Sequence, residues 1–138
     1  MKKNLILFLM FICFVFVTCN ESKALLESEE FLKNLQSCIP YSPKAEITFD
    51  GTIVGKVNGK CHVKFPNASL TDKTTNEKIN LANCYFSSND IYTIVNISKE
   101  IKNFYAKYLG KTSIPSSEEA RMKSLMIEYT EIHKKSCR

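Results

Sequence analysis

Glycine is scarce in this chain: four residues in 138, and no two of them are closer than four positions. A loop that cradles phosphate needs several glycines close together, so that type of nucleotide site is not encoded. Histidine is scarcer, with only His62 and His133, and nothing in their spacing places them together. No two cysteines form a Cys-x2-Cys pair, which argues against a zinc ribbon and a thioredoxin-like redox centre. No serine sits in a Gly-x-Ser-x-Gly frame, the turn that exposes a hydrolase nucleophile. There is no basic run either. Lysines alternate with acids, as in SSEEARMK and NISKEIK, so no stripe for a phosphate backbone exists and nucleic acid is not an expected partner.

The N-terminus is informative. Lys2 and Lys3 precede an apolar run from Leu5 to Val17, and Ser22-Lys23-Ala24 supplies small residues for a cleavage site. That is the layout of a secretory signal peptide over residues 1–24. The run covers 13 residues, against roughly 20 for a helix that crosses a bilayer. Lipid attachment at Cys19, or an uncleaved anchor, are the alternatives. Thr18 stands before Cys19, where a lipidated bacterial cysteine usually follows Gly, Ala or Ser. Removing the leader takes away three lysines and one glutamate, and the formal charge falls from +5 to +3. Residues 25–138 are then expected to form one secreted or periplasmic domain, touching a membrane only through the leader or a lipid at Cys19.

Four cysteines remain: Cys38, Cys61, Cys84 and Cys137, separated by 23, 23 and 53 positions. An even number in a small exported domain reads as disulfides. The segment KCHVKF alternates like a strand. Cys61, Val63 and Phe65 share one face, and Lys60, His62 and Lys64 the other. Cys61 and His62 therefore do not converge on a ligand; His62 is expected to face solvent. If KCHVKF and INLANCYF form a hairpin, Cys61 lies opposite Cys84. The expected pairs are then Cys61–Cys84 and Cys38–Cys137.

Residues 27–38 carry Phe31, Leu32, Leu35 and Cys38 at helical spacing, and Pro40 and Pro43 end that segment. Strands are expected in AEITF, TIVGKV, KCHVKF and KINLANCYF. Asn58-Gly59 is a two-residue hairpin signal, and Asp50-Gly51 is either a second one or a bulge. Two tight turns would align Ile47, Val54, Val63 and Ala82 across a four-stranded meander; a bulge would leave three strands. The polar stretch PNASLTDKTTNEK reads as a loop. A long helix follows, capped by Ser87, Ser88 or Asn89, with an apolar face from Ile91 to Tyr108 and a stop at Gly110. The last helix is expected to open with a Ser116-Ser117-Glu118-Glu119 capping box and to bury Met122, Leu125, Met126, Tyr129 and Ile132. His133 then sits beside two lysines, as a surface residue near the helix end. The class is α+β: an N-terminal helix, an antiparallel meander of three to four strands, and two C-terminal helices on one sheet face.

The motifs LQSCIPYS, NGKCHVKF and NCYFSSNDI, followed by a long helix and Cys137, resemble a group of small exported bacterial proteins. These share a Leu-x-x-Cys-x-Pro-Tyr start, an Asn-Gly-Lys-Cys hairpin and a Cys-x-Phe-Ser entry into a helix. The resemblance implies export and a four-cysteine frame, and no activity. No catalytic, cofactor or metal residue is assigned. Tyr85, Tyr92, Tyr105 and Tyr108 are candidates for a contact surface, since tyrosine offers large area at low entropic cost. The expected function is a non-enzymatic binding or structural module of the cell envelope, with an inhibitor of a wall-degrading hydrolase as one specific form. Its partner would be a protein or another envelope component. A small secreted hydrolase is the alternative.

Overall fold

The computed structural model describes residues 27–44, 49–66 and 68–138. The leader, Cys19 and Ile47 lie outside these residues. The chain runs α1 (Glu29–Ser37), β1 (Thr52–Val57), β2 (Lys60–Lys64), β3 (Ser69–Thr71), β4 (Lys78–Asn80), β5 (Cys84–Phe86), α2 (Ser88–Tyr108) and α3 (Ser116–Ser136). It is the α+β order expected, with antiparallel strands in two small sheets: β1-β2-β5 and β3-β4.

Local chemistry sets the boundaries. Ser28 caps α1 by accepting from Phe31 N–H at 3.1 Å, and Phe31, Leu32 and Leu35 form its buried stripe. Each such side chain stabilises by roughly 2 kcal/mol when removed from water. Asn58 and Gly59, at φ +50° and +76°, turn β1 into β2, the left-handed pair that a type I′ hairpin requires. Asp50-Gly51 is not a second such turn. Asp50 is a clasp: its carboxylate accepts from Ser28 N–H (2.7 Å), Ser28 Oγ (2.6 Å) and the Tyr41 hydroxyl (2.9 Å). Gly51 instead lies where an added Cβ would come within 2.7 Å of Phe65 and Val63.

A bulge does occur, but inside β1, where the register slips between Ile53 and Gly55. It turns Val54 out to solvent, 45 % exposed, and puts Ile53 opposite Val63. The inner row is thus Ile53, Val63 and Cys84, not Val54, Val63 and Ala82. Beyond the bulge, Tyr41 pairs with Ile53, and Cys137 pairs with Cys84 on the far side of the sheet.

The segment read as a loop contains β3, which pairs with β4 in the second sheet. Leu70 opposes Ile79, both buried. Asp72 turns the hairpin by accepting from Thr74 N–H at 2.8 Å and its hydroxyl at 2.6 Å. β3, with one apolar residue in three, carries too little alternation to be read as a strand, and the single strand expected in KINLANCYF is split into β4 and β5, which belong to different sheets.

Ser87 and Asp90 close a reciprocal capping box on α2, which buries Ile91, Ile94, Val95, Ile97, Ser98, Ile101, Phe104 and Tyr108. Gly110, at φ +78°, follows its end. The capping box expected on α3 is absent: its N-cap is Pro115, with no side-chain hydrogen bond. The buried stripe of α3 is Met122, Met126, Tyr129, Thr130, His133 and Ser136, so Leu125 and Ile132 are only half-buried.

The disulfides are Cys38–Cys61 and Cys84–Cys137. The expected pairing is corrected by register. β2 and β5 are antiparallel neighbours, but Val63 opposes Cys84 while Cys61 opposes Phe86. Cys61 and Cys84 share the inner face two positions out of step. Cys61 meets Cys38, the C-cap of α1, and Cys84 meets Cys137, the C-cap of α3.

Candidate binding surface

Most ionisable groups that could do chemistry are held by the fold. His133 is 1 % exposed, which corrects the surface placement expected from its lysine neighbours. Its Nδ1–H donates to the Tyr129 carbonyl at 2.8 Å, and its ring stacks on Tyr129 and meets Phe86 edge-on. Burial disfavours the imidazolium and lowers the pKa to about 4.

Glu27 is a buried carboxylate that the sequence did not single out. It accepts from the Tyr129 hydroxyl at 2.8 Å and from Ser98 Oγ at 3.1 Å. Burial raises its pKa in spite of those donors. The same burial, with the Glu27 carboxylate beside it, raises Tyr129 well above its usual value.

Asp72 is held far below the usual carboxylate range by Thr74 and by Lys134, whose Nζ lies 3.2 Å from it and 2.9 Å from Glu77. Burial pushes Asp90 up, but Lys135 at 2.7 Å and Ser87 outweigh it and the net shift is down. Glu118, half of the acidic pair opening α3, pairs with Lys107 at 3.5 Å.

The four tyrosines do not share a face. Tyr92 is 67 % exposed on α2, whereas Tyr108 is buried and lies under the ammonium groups of Lys107 and Lys111. Tyr105 is half-buried against the core. Tyr85 is half-buried on the sheet.

Tyr85 belongs to a different constellation. Residues paired across strands point to the same face. Cys61 and Val63 face the core, at 2 % and 0 % exposure, and the helices cover them. The outer face therefore carries Lys60, His62 and Lys64 from β2, Val57 and Gly55 from β1, and Tyr85 from β5. His62 is on this face, as alternation requires, but it is not solvent-facing: exposure is 8 %. Its ring stacks on Tyr85 at 4.5 Å and 12°, and its Nε2–H donates to Asn83 Oδ1 at 3.0 Å. On the other flank Gly55, at φ +126°, contributes no side chain. The sheet is extended by Arg138, whose N–H donates to the Asn83 carbonyl at 2.9 Å. If the alternation of the Cys84–Cys137 bridge continues, the Arg138 side chain follows Asn83 onto the outer face.

β1 and β2 contribute no acidic side chain to this face. No Asp or Glu occurs between Gly51 and Thr71. Among the described residues, Lys60, Lys64 and Arg138 form no ion pair. Lys60 and Lys64 stand four strand positions apart, about 13 Å, with His62 between them.

A second concavity lies between the β3–β4 turn and α3. This groove of about 220 Å³ is lined by Thr71, Thr74, Met126, Ile127, Thr130 and Glu131, among others. Ile127 is 45 % exposed there. No group of three or more His, Cys, Asp or Glu arranged to hold a metal occurs among the described residues. Nor, among them, is any helix long and apolar enough to cross a membrane. Comparison with protein-family models, with curated proteins and with solved structures finds no match to this chain.

Proposed function

We propose that the chain is an exported, disulfide-braced binding module of the bacterial cell envelope. The observation that carries this reading is the outer sheet face. Lys60, Lys64 and Arg138 surround a flat His62–Tyr85 stack and have no counter-ion within the described residues. Two disulfides tether the strands beneath it to helix ends. A rigid face loses little entropy when it docks, which favours recognition. Bonds of this kind persist in oxidising compartments, which supports export.

The chemistry of the remaining groups points the same way. The His133 imidazole and the carboxylates of Glu27, Asp72 and Asp90 are engaged in structural contacts. An inhibitor of a wall-degrading hydrolase is a specific form of this reading. Such enzymes cleave glycosidic bonds with a pair of carboxylates, and a basic face complements a cleft lined by them.

The test is cross-linking capture from the exported fraction with the oxidised protein as bait, run beside a hydrolase activity screen. A partner recovered reproducibly with the oxidised bait and lost after reduction is the expected result. Hydrolytic activity in the purified chain, with no partner recovered, overturns it.

A further inference from the structure

The binding reading leaves the location and chemistry of the partner open. The geometry points to the outer face of β1-β2-β5 as the docking surface for an acidic protein partner, whose carboxylates meet Lys60, Lys64 and Arg138 around the His62–Tyr85 stack. This rests on the binding reading and narrows it to one face and one class of partner.

Three observations converge. The face is the side of the sheet away from the helices, since the inner row of Ile53, Val63 and Cys84 is buried at 1 % exposure or less. Its cations form no ion pair among the described residues; Lys33 and Lys78 share that state elsewhere, but Lys60 and Lys64 stand on one face of one strand. The strands of the face supply no acidic side chain.

The centre of the face suits a protein more than a uniform polyanion. His62 and Tyr85 form a flat aromatic platform, and the Asn83 amide beside it is fixed by its bond to His62. The accessible part of the stack is the half-buried Tyr85 ring; His62 lies beneath it at 8 % exposure, with Pro40 beside Gly55 on its other flank. An apolar or aromatic side chain of the partner can rest there while cations at the rim select its carboxylates. That is the usual division between the core and rim of a protein interface.

The test compares the exported, oxidised protein with two variants of equal net charge. One is Lys60→Gln/Lys64→Gln/Arg138→Gln. The other removes three exposed lysines elsewhere, Lys33→Gln/Lys78→Gln/Lys99→Gln. The probe is poly-L-glutamate, at low and at physiological salt, with dextran sulfate and phosphatidylglycerol vesicles as parallel arms. The outer-face variant is expected to bind poly-L-glutamate about tenfold more weakly at low salt, and the control within about twofold of wild type. Equal weakening of both variants means diffuse charge and overturns the proposal. So does binding only to dextran sulfate or to vesicles, which makes the occupant a glycan or a membrane, and so does absence of all binding.

Capture separates this proposal from the reading beneath it. If wild type recovers a partner and the outer-face variant recovers it equally, the face is wrong and the binding module stands. Loss of that partner through Ile127→Asp instead moves the interface to the α3 groove and also overturns the proposal. Failure of wild type to recover any partner, with hydrolysis detected, removes the binding reading itself.

Discussion

Lowering the pH from 7 to 4.5 should unfold this domain partly through His133. In the folded state the ring is enclosed by Tyr129, Phe86 and Phe65, with Nδ1–H committed to the Tyr129 carbonyl. Adding the second proton puts a cation among aromatic rings. Burial opposes that charge and outweighs the Tyr129 carbonyl and, after it, the Asp90 carboxylate, which favour it; Asp90 is already paired with Lys135. The pKa therefore falls from 6.5 to about 4.

A depressed histidine contributes stability that is full above its unfolded pKa and is lost as pH falls toward its folded one. Below 6.5 the unfolded chain takes up the proton and the folded chain refuses it. At pH 4.5 the linkage relation gives a loss of about 2 kcal/mol relative to pH 7. Glu27 has the opposite sign. Its folded pKa is raised from 4.5, so its contribution is present below 4.5 and declines as pH rises. Asp90 and Asp72, held low, lose stability only as pH falls through the acid range.

The comparison that isolates the imidazole is wild type against His133→Asn, by urea unfolding with the disulfides intact. Asn retains a donor near Nδ1 and cannot titrate. It is less stable at pH 7 because ring packing is lost. Between pH 7 and 4.5, however, wild type should lose about 2 kcal/mol more than the variant. At common urea slopes that is a midpoint shift of roughly 1–2 M. Parallel losses in the two proteins would refute the assignment of acid sensitivity to this residue.

Replacing both cysteines by serine should cost about 3 kcal/mol for Cys38–Cys61 and about 4 for Cys84–Cys137, by loop-closure entropy over separations of 23 and 53 residues; urea midpoints of the two double variants check the order. Gly51→Ala should destabilise by about 1–3 kcal/mol, because the new Cβ would sit 2.7 Å from Phe65 and Val63; a neutral result in thermal melts would mean that those side chains move aside. Glu27→Ala removes the acceptor shared by two buried hydroxyls and should cost about 2–3 kcal/mol. Glu27→Gln keeps both contacts and should reduce the fall in stability between pH 5 and 8, measured as the wild-type and variant midpoints across that range.

Sequence pattern exposed elements whose signals are local. Asn58-Gly59 needs only two residues to specify its turn, and Ser87 with Asp90 needs four to close a cap. His133 was also within reach. The buried spacing of α3 runs from Met122 by four to Met126, by three to Tyr129 and by four to His133. Following that 3.6-residue period, instead of the charge of the HKK run, places the ring inside. Glu27 carried no such signal. Its partners Ser98 and Tyr129 are 71 and 102 positions away, and a carboxylate in front of a helix ordinarily reads as a favourable charge on the dipole. The outer face was half legible. Alternation placed Lys60, His62 and Lys64 together, but the stack with Tyr85 depends on a pairing register that the sequence leaves two residues ambiguous.

That same ambiguity decided the sulfur pairing, and the two outcomes differ in what they do to the surface. A Cys61–Cys84 bond would have linked two strands that already share a ladder of hydrogen bonds, adding little to a connection already made. The observed bonds instead tie β2 to the end of α1 and β5 to the end of α3. Each strand carrying the His62–Tyr85 stack is thereby fixed from behind to a different helix. Opening either bond should loosen the face without dissolving the ladder between the strands. Reduction of Cys38–Cys61 alone is then expected to weaken docking more than it disturbs the β2–β5 amide protection seen by hydrogen exchange. If protection and docking decline together, the face draws its rigidity from the sheet itself and not from the helices braced beneath it.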